Sequence, residues 1–157
     1  MYRDQRICVV MPAYNEAKLV GAVLDRIPDY VDTVLVVNDG STDETPNIAR
    51  ERGALVVTHN MNRGVGAAFH TGVDKALELG TDIMVTIDAD GQFNPSDINK
   101  LVDPIIDETA EFVTASRFKD KKLVPKMPRT KYWGNIATSM PIILKKQLYS
   151  TDCNGVL

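Results

Sequence analysis

The feature that most constrains this chain is a repeated change of hydrophobic period. Short apolar runs at Ile7-Cys8-Val9-Val10-Met11, Thr33-Val34-Leu35-Val36-Val37, Ala54 to Val57, Ile83-Met84-Val85-Thr86-Ile87 and Phe112 to Ala115 alternate with segments of helical spacing. A run without polar alternation is what a strand buried on both faces requires, and parallel neighbours need a crossover between them. The intervening segments supply it. Leu19, Val20, Val23, Leu24 and Ile27 share one helical face. Val65, Phe69, Val73, Ala76 and Leu77 line a second helix ending near Gly80, and Ile98, Leu101, Val102, Ile105 and Ile106 line another. Asn15 is placed to cap the first helix, Ser41 with Glu44 to form a capping box for the next, and Asn94-Pro95 to open the last. Five strands alternating with helices predict an α/β fold, a doubly wound, mostly parallel sheet with helices on both faces.

Size and charge narrow the function. A chain of 157 residues with 44% hydrophobic content suits a single domain with a real core. Its net charge of -3, with both signs mixed, excludes the basic field of a nucleic-acid binder. Cys8 and Cys153 are the only cysteines, and Cys8 lies in an apolar run, so a buried thiol in a reducing compartment is expected. The first apolar stretch is broken by Pro12, and the one from Ile136 to Leu144 is short and contains Pro141. Neither a signal-peptide core nor a spanning helix is expected, which points to a cytoplasmic protein. A basic segment and the stretch Trp133, Ile136, Met140 and Leu144 would allow peripheral contact at the cytoplasmic membrane face; packing on the core explains the same pattern. The oligomeric state stays open, a homo-oligomer included.

Sheets of this kind bind ligands beyond the carboxyl ends of their strands. Those positions here are polar: Pro12 to Glu16, Asn38 to Asp43, Asp88 to Gln92, and Ser116-Arg117. If the backbone stays extended through Asp88-Ala89-Asp90, alternate side chains point one way, with Gln92 next in the series. Two carboxylates and an amide suit Mg²⁺ or Mn²⁺, which complete their shells with water and substrate phosphates. The same tetrapeptide with Gly91 is also read as a polar turn closing a strand. Asp39 could accept from the imide N–H of uracil or from the N1–H and amino group of guanine, or could make an Asx turn. Tyr14 offers a face for stacking a base, and Glu16 is equally a first-turn acid. In Asn62-Arg63-Gly64-Val65-Gly66 the glycines permit close backbone approach to a phosphate and Arg63 supplies a cation. The Lys-Ser/Thr of a P-loop is missing, and no G-x-G-x-x-G follows the first strand. From Arg117 to Lys131 seven basic residues face the single acid Asp120, which reads either as a solvated loop or as a lid meeting phosphate or an anionic acceptor.

Four motifs, Val10-Met11-Pro12-Ala13-Tyr14-Asn15-Glu16, Val37-Asn38-Asp39-Gly40-Ser41-Thr42-Asp43, Asn62-Arg63-Gly64-Val65-Gly66-Ala67-Ala68 and Ile87-Asp88-Ala89-Asp90-Gly91-Gln92, together resemble the family-2 glycosyltransferases of GT-A fold. The resemblance covers roughly residues 6 to 118. It is closest to the polyprenyl- or dolichol-phosphate mannose synthase branch, where the aspartate motif continues into Gly-Gln and a Ser-Arg follows the fifth strand. It implies that Pro12, Ala13, Tyr14, Glu16 and Asp39 contact the nucleoside, and it places Arg63, Gly66, Asp88, Ala89 and Asp90 along the nucleotide sugar. Asp88, Asp90 and Gln92 would hold the metal, and Arg117 would face phosphates or acceptor. The implied reaction is metal-dependent, inverting transfer of a sugar from a GDP- or UDP-sugar to a lipid-phosphate or glycan acceptor.

The expected organisation is one glycosyltransferase domain over 1–157, with 1–118 binding the nucleotide sugar and 119–157 holding a basic loop, a helix and the start of an acceptor part. The tail departs from the family pattern: Asp152 precedes Gly155 by one residue too few, although it could take the acceptor-side catalytic role beside Asp90 and Arg117. The chain stops at Leu157, short of the family's further acceptor elements, so a catalytically silent nucleotide-sugar-binding or interaction domain is the alternative reading.

Overall fold

Four of the five apolar runs become strands: β1 (Ile7–Ala13), β2 (Thr33–Asn38), β3 (Leu55–Thr58) and β4 (Ile83–Thr86). They form one sheet in the order β3-β2-β1-β4, with every pair parallel. The computed structural model describes residues 1–115, and the chain divides into two units, Met1–Ala110 and Glu111–Leu157. The expected fifth strand is not formed. Phe112 to Ala115 carry no strand, and Phe112 is 50% exposed. A short run of strand-favouring residues becomes a strand only when a ladder partner satisfies its backbone, and β-propensity alone does not supply one.

Register explains why the strands read as continuous apolar runs. Val10 lies beside Leu35 and Met11 beside Val36, so neighbouring strands present matched residues to each face. Cys8, Val10, Leu35 and Val37 form one face and pack with Ala68 and Ala76 of α3 (Val65–Glu78). The alternate residues Ile7, Val9, Met11 and Val36 are fully buried too. The remaining helices, α1 (Val20–Leu24), α2 (Thr45–Glu51) and α4 (Ile98–Ile106), supply buried Val20, Val23, Ala49, Ile98 and Val102. With β3 and β4 at opposite edges, the β3-α3-β4 connection crosses the whole sheet, giving the doubly wound arrangement.

Several helix expectations change. The face of α3 that meets the sheet is Ala68, Gly72 and Ala76; of the expected stripe Ala76 is buried, Phe69 and Val73 are half-buried, and Val65 and Leu77 are 71% and 70% exposed. Small residues let the helix axis come close to the β-branched sheet surface. At Gly72 a Cβ would fall well inside the van der Waals contact distance of Val10 Cγ1. Gly72→Ala is therefore expected to destabilise by about 1–3 kcal/mol through overpacking, set against up to about 1 kcal/mol of helix propensity gained. In a Val10→Ala background the clash disappears and the same change should stabilise, a reversal of sign that urea titration of the four proteins would detect.

Helix starts also differ. Asn15 does not cap α1, whose N-cap Leu19 makes no side-chain bond, and the chain at Asn15 is left-handed with φ of 56°. Asparagine tolerates that region better than most residues. Ser41 and Glu44 form no capping box; Asp43 instead accepts from Thr45 N at 3.0 Å and from Thr45 Oγ1 at 2.5 Å. The Asn94-Pro95 start holds, although a 3₁₀ turn, Pro95–Asp97, precedes α4 and Asn94 accepts from Ser96 N. Cys8 is buried as a free thiol, and burial pushes it up, only partly offset by a hydrogen bond from Thr81.

Candidate active site

The carboxyl ends of β1 and β2 are stitched into one rim. Asp39 N donates to Ala13 O, Asn15 N to Ser41 Oγ, Glu16 N to Thr45 Oγ1 and Ala17 N to Asp43 Oδ2, all within 2.8–3.1 Å. Asn15 Oδ1 returns the contact by accepting from Thr42 N at 2.9 Å. The side chains expected to cap helices are thus used between loops, which satisfies backbone donors that would otherwise be left without partners at a strand end. Asn38 Oδ1 accepts from Ser41 N and so fixes the turn after β2.

The third loop joins through Asp39. Its Oδ1 accepts from Arg63 N at 2.9 Å and its Oδ2 from Gly64 N at 2.8 Å. His59 Nδ1 lies 2.7 Å from the same Oδ1, and His59 Nε2 lies 2.9 Å from Thr71 Oγ1 on α3. Asp39 is only 3% exposed. Burial pushes its carboxyl up, but the bonds from Arg63 N, His59 and Gly64 N outweigh that, and it is held below the ordinary carboxylate range. Gly40, with φ of 72°, allows the loop to cross here, since a Cβ at that position would overlap the backbone of Met61 and Asn62.

The fourth segment turns sooner than strand alternation would have it. After β4 the chain is not extended through Asp90; it turns at Ala89-Asp90, with Asp90 Oδ1 accepting from Gln92 N at 2.9 Å and Gly91 at φ of 75°. The polar-turn reading and the ligand reading therefore coexist at Asp90, which keeps a second oxygen for another partner. Asp88 and Asp90 are half-buried, Gln92 is exposed, and the Ala89 side chain is buried, so only its backbone can meet a ligand. The turn belongs to the same rim. Glu16 is pushed above the ordinary carboxylate range by burial, then by the negative charges of Asp90 and Asp43.

Among the described residues no group of three or more His, Cys, Asp or Glu side chains is placed to hold a metal. A site of two carboxylates and an amide does not need one, because Mg²⁺ and Mn²⁺ take the rest of their oxygens from water and phosphate. The donors present are all oxygen, and the surplus negative charge felt by Glu16 is what a divalent cation would relieve. The residues fit such an ion.

Of the other expected site residues, Pro12 is half-buried and Ala13 buried at the end of β1, while Tyr14 is exposed on the rim. Arg63 is exposed, as is Gly66 in the first turn of α3. Arg117 and Asp152 lie outside the described residues, as does the stretch from Trp133 to Leu144. Sequence reasoning passed over His59 and Thr71. The rule that singles out residues after strands would have found His59, had it been applied to the third strand as to the others.

A polar, loop-built rim at the carboxyl edge of a parallel α/β sheet is where such folds bind their ligands. The chain belongs to glycosyl transferase family 2, whose sequence pattern matches residues 8–155. It is 38% identical to the UDP-N-acetylglucosamine–dolichyl-phosphate N-acetylglucosaminyltransferase of Methanococcus voltae, over 98% of this chain and 68% of that protein. It is 35% identical to the undecaprenyl-phosphate mannosyltransferase of Micrococcus luteus, over 71% of this chain and 48% of that protein. The chain thus spans about two thirds of the first relative and about half of the second. A crystal structure of glucosyl-3-phosphoglycerate synthase from Mycobacterium tuberculosis, in complex with Mn²⁺, UDP-glucose and phosphoglyceric acid, matches with a TM-score of 0.54 and 31% identity, covering 65% of this chain and 40% of that one. The expected family and its lipid-phosphate branch are borne out, as is the GT-A-type α/β fold. No helix among the described residues is long and apolar enough to cross a membrane.

Proposed function

We propose that the rim formed by the β1, β2 and β4 loops binds a nucleoside-diphosphate sugar, and that the protein transfers its sugar, with inversion, to a lipid phosphate. The observation that carries this reading is geometric: hydrogen bonds stitch the loops after β1 and β2 into one rim, and β4, which pairs with β1, ends beside it in the Asp88-Ala89-Asp90 turn. The acids of these loops make one site that favours a cation and, through it, a diphosphate. Pro12, Ala13, Tyr14, Glu16 and Asp39 hold the nucleoside. Asp88, Asp90 and Gln92 hold Mg²⁺ or Mn²⁺, which when bound would act as a Lewis acid against the charge growing on the leaving diphosphate. Arg63 and the open backbone at Gly66 approach the phosphates, and Arg117 and Asp152 take the acceptor side by family resemblance. The lipid-phosphate acceptor draws support from the relatives' names.

In the reaction an acceptor oxygen forms a bond to the anomeric carbon as the bond from that carbon to the diphosphate breaks, and the electron pair leaves with the nucleoside diphosphate. A phosphate monoester is largely dianionic near neutral pH, so its attacking oxygen needs no protein base. A glycan hydroxyl would need one. A peripheral site at the cytoplasmic membrane face suits an acceptor anchored in lipid.

Calorimetric titration with UDP- and GDP-sugars, with and without Mn²⁺, tests the donor site: binding that requires the metal supports it, and no binding of either donor at millimolar concentration with metal present overturns it. A binding domain without turnover would take up donor yet glycosylate no polyprenyl phosphate in vesicles. Gly66→Ala provides a finer check. Among the described residues, no atom outside the chain neighbours and the backbone of α3 lies within 4 Å of the added methyl, so the melting temperature should hold or rise slightly while donor affinity falls about tenfold, the loss expected when a close backbone approach is blocked.

A further inference from the structure

The Asp39 carboxylate has about four acceptor positions, and the fold already uses three. Both lone pairs of Oδ1 are taken, one by Arg63 N and one by His59 Nδ1, and Oδ2 gives one to Gly64 N. Asp39 is ionised, so the hydrogen between it and the imidazole resides on Nδ1. His59 cannot swing away, because Thr71 Oγ1 meets its other nitrogen and the imidazole is itself buried. Solvent reaches 5% of the Asp39 side chain, an opening suited to one further contact and not to a whole base edge.

We propose that His59 sets the base selectivity of the donor pocket: by filling the second lone pair of Asp39 Oδ1 it leaves the carboxylate one open acceptor, which fits the single imide N–H of uracil and not the paired N1–H and amino group of guanine. The inference rests on the reading of Asp39 as the base contact and adds to it which nucleotide is taken. His59 is a positioning residue. It acts through Asp39, and Thr71 acts through His59.

The test is calorimetry of the full chain with Mn²⁺ and UDP or GDP. The wild type should bind UDP more tightly by about tenfold or more, the cost of leaving one guanine donor unpaired on burial. In His59→Ala the lone pair of Oδ1 and the space in front of it are both freed, so the second guanine donor can pair and the UDP-to-GDP ratio should fall to near unity. His59→Asn places an amide N–H at the position of Nδ1 and should restore the ratio. If the alanine variant does not fold, Thr71→Ala, which releases the imidazole, should lower the ratio in the same direction. Preference of the wild type for GDP would overturn the proposal. So would variants that weaken both nucleotides alike with the ratio unchanged, the mark of a merely structural histidine. Failure of the wild type to bind either nucleotide sinks the donor-site reading itself, and is distinct from a donor site that binds both without discrimination.

Discussion

Asp90→Ala is expected to abolish Mn²⁺-dependent binding of the sugar donor, a loss of about a thousandfold or more, because a metal-bound diphosphate draws several kcal/mol from the ion. Two roles of Asp90 must be separated, since its Oδ1 also holds the turn by accepting from Gln92 N. Asp90→Asn keeps that acceptor and removes the charge. If the carboxylate holds the metal, both variants lose donor binding, and the asparagine form keeps the wild-type melting temperature. Donor binding by Asp90→Asn at wild-type affinity would show that the charge is not used and would sink the metal assignment. Loss of binding in the alanine form alone would assign Asp90 to the turn.

The second large effect is on stability. Asp39→Ala removes the acceptor shared by Arg63 N, Gly64 N and His59 and leaves the buried imidazole without it, while Gly64 N keeps Asn62 Oδ1, so about 2–4 kcal/mol of stability should be lost. The pH dependence has a definite sign. Asp39 is held below its ordinary range in the fold, so its contribution is complete above the unfolded value near pH 4 and is lost as pH falls through the folded value. The stability gap between wild type and Asp39→Ala, from urea titrations between about pH 7 and pH 2, should therefore be constant near neutrality and close in acid. A gap that does not change with pH would mean that Asp39 is not the charged acceptor of this network.

The strands were legible because burial on both faces leaves a sequence mark that needs no partner to be read: Val9 and Val10 point to opposite faces of the sheet, and both are fully buried. Phe112 to Ala115 carries the same local mark without a ladder and forms no strand. The orientation of α3 was hidden for a different reason. Hydrophobicity pointed to Val65 and Leu77 along with Ala76, whereas close approach to a β-branched sheet selects Ala68 and Gly72 beside Ala76 by size. Asn15 and Ser41 look like caps locally, and their side chains are taken by loops about 26 positions away in the chain. The candidate site was legible wherever a strand ended in acids. His59 was missed because a single histidine has many uses, and its role follows only from Asp39 and Thr71 being brought to its two ring nitrogens.

The absence of a side chain at Gly72 bears on more than packing. Thr71, which meets His59, is the neighbouring residue on the same helix, so the height at which α3 rides on β1 also sets the height of the hydroxyl behind the imidazole. If Asp39 lines the base pocket as proposed, the gap between helix and sheet is its spacer. One methyl group added at Gly72, between the helix and Val10 of β1, would lift that spacer without touching any ligand. Divergence in ligand preference among relatives could then arise from hydrocarbon thickness in the core, at positions that an inspection of pocket-lining residues would pass over.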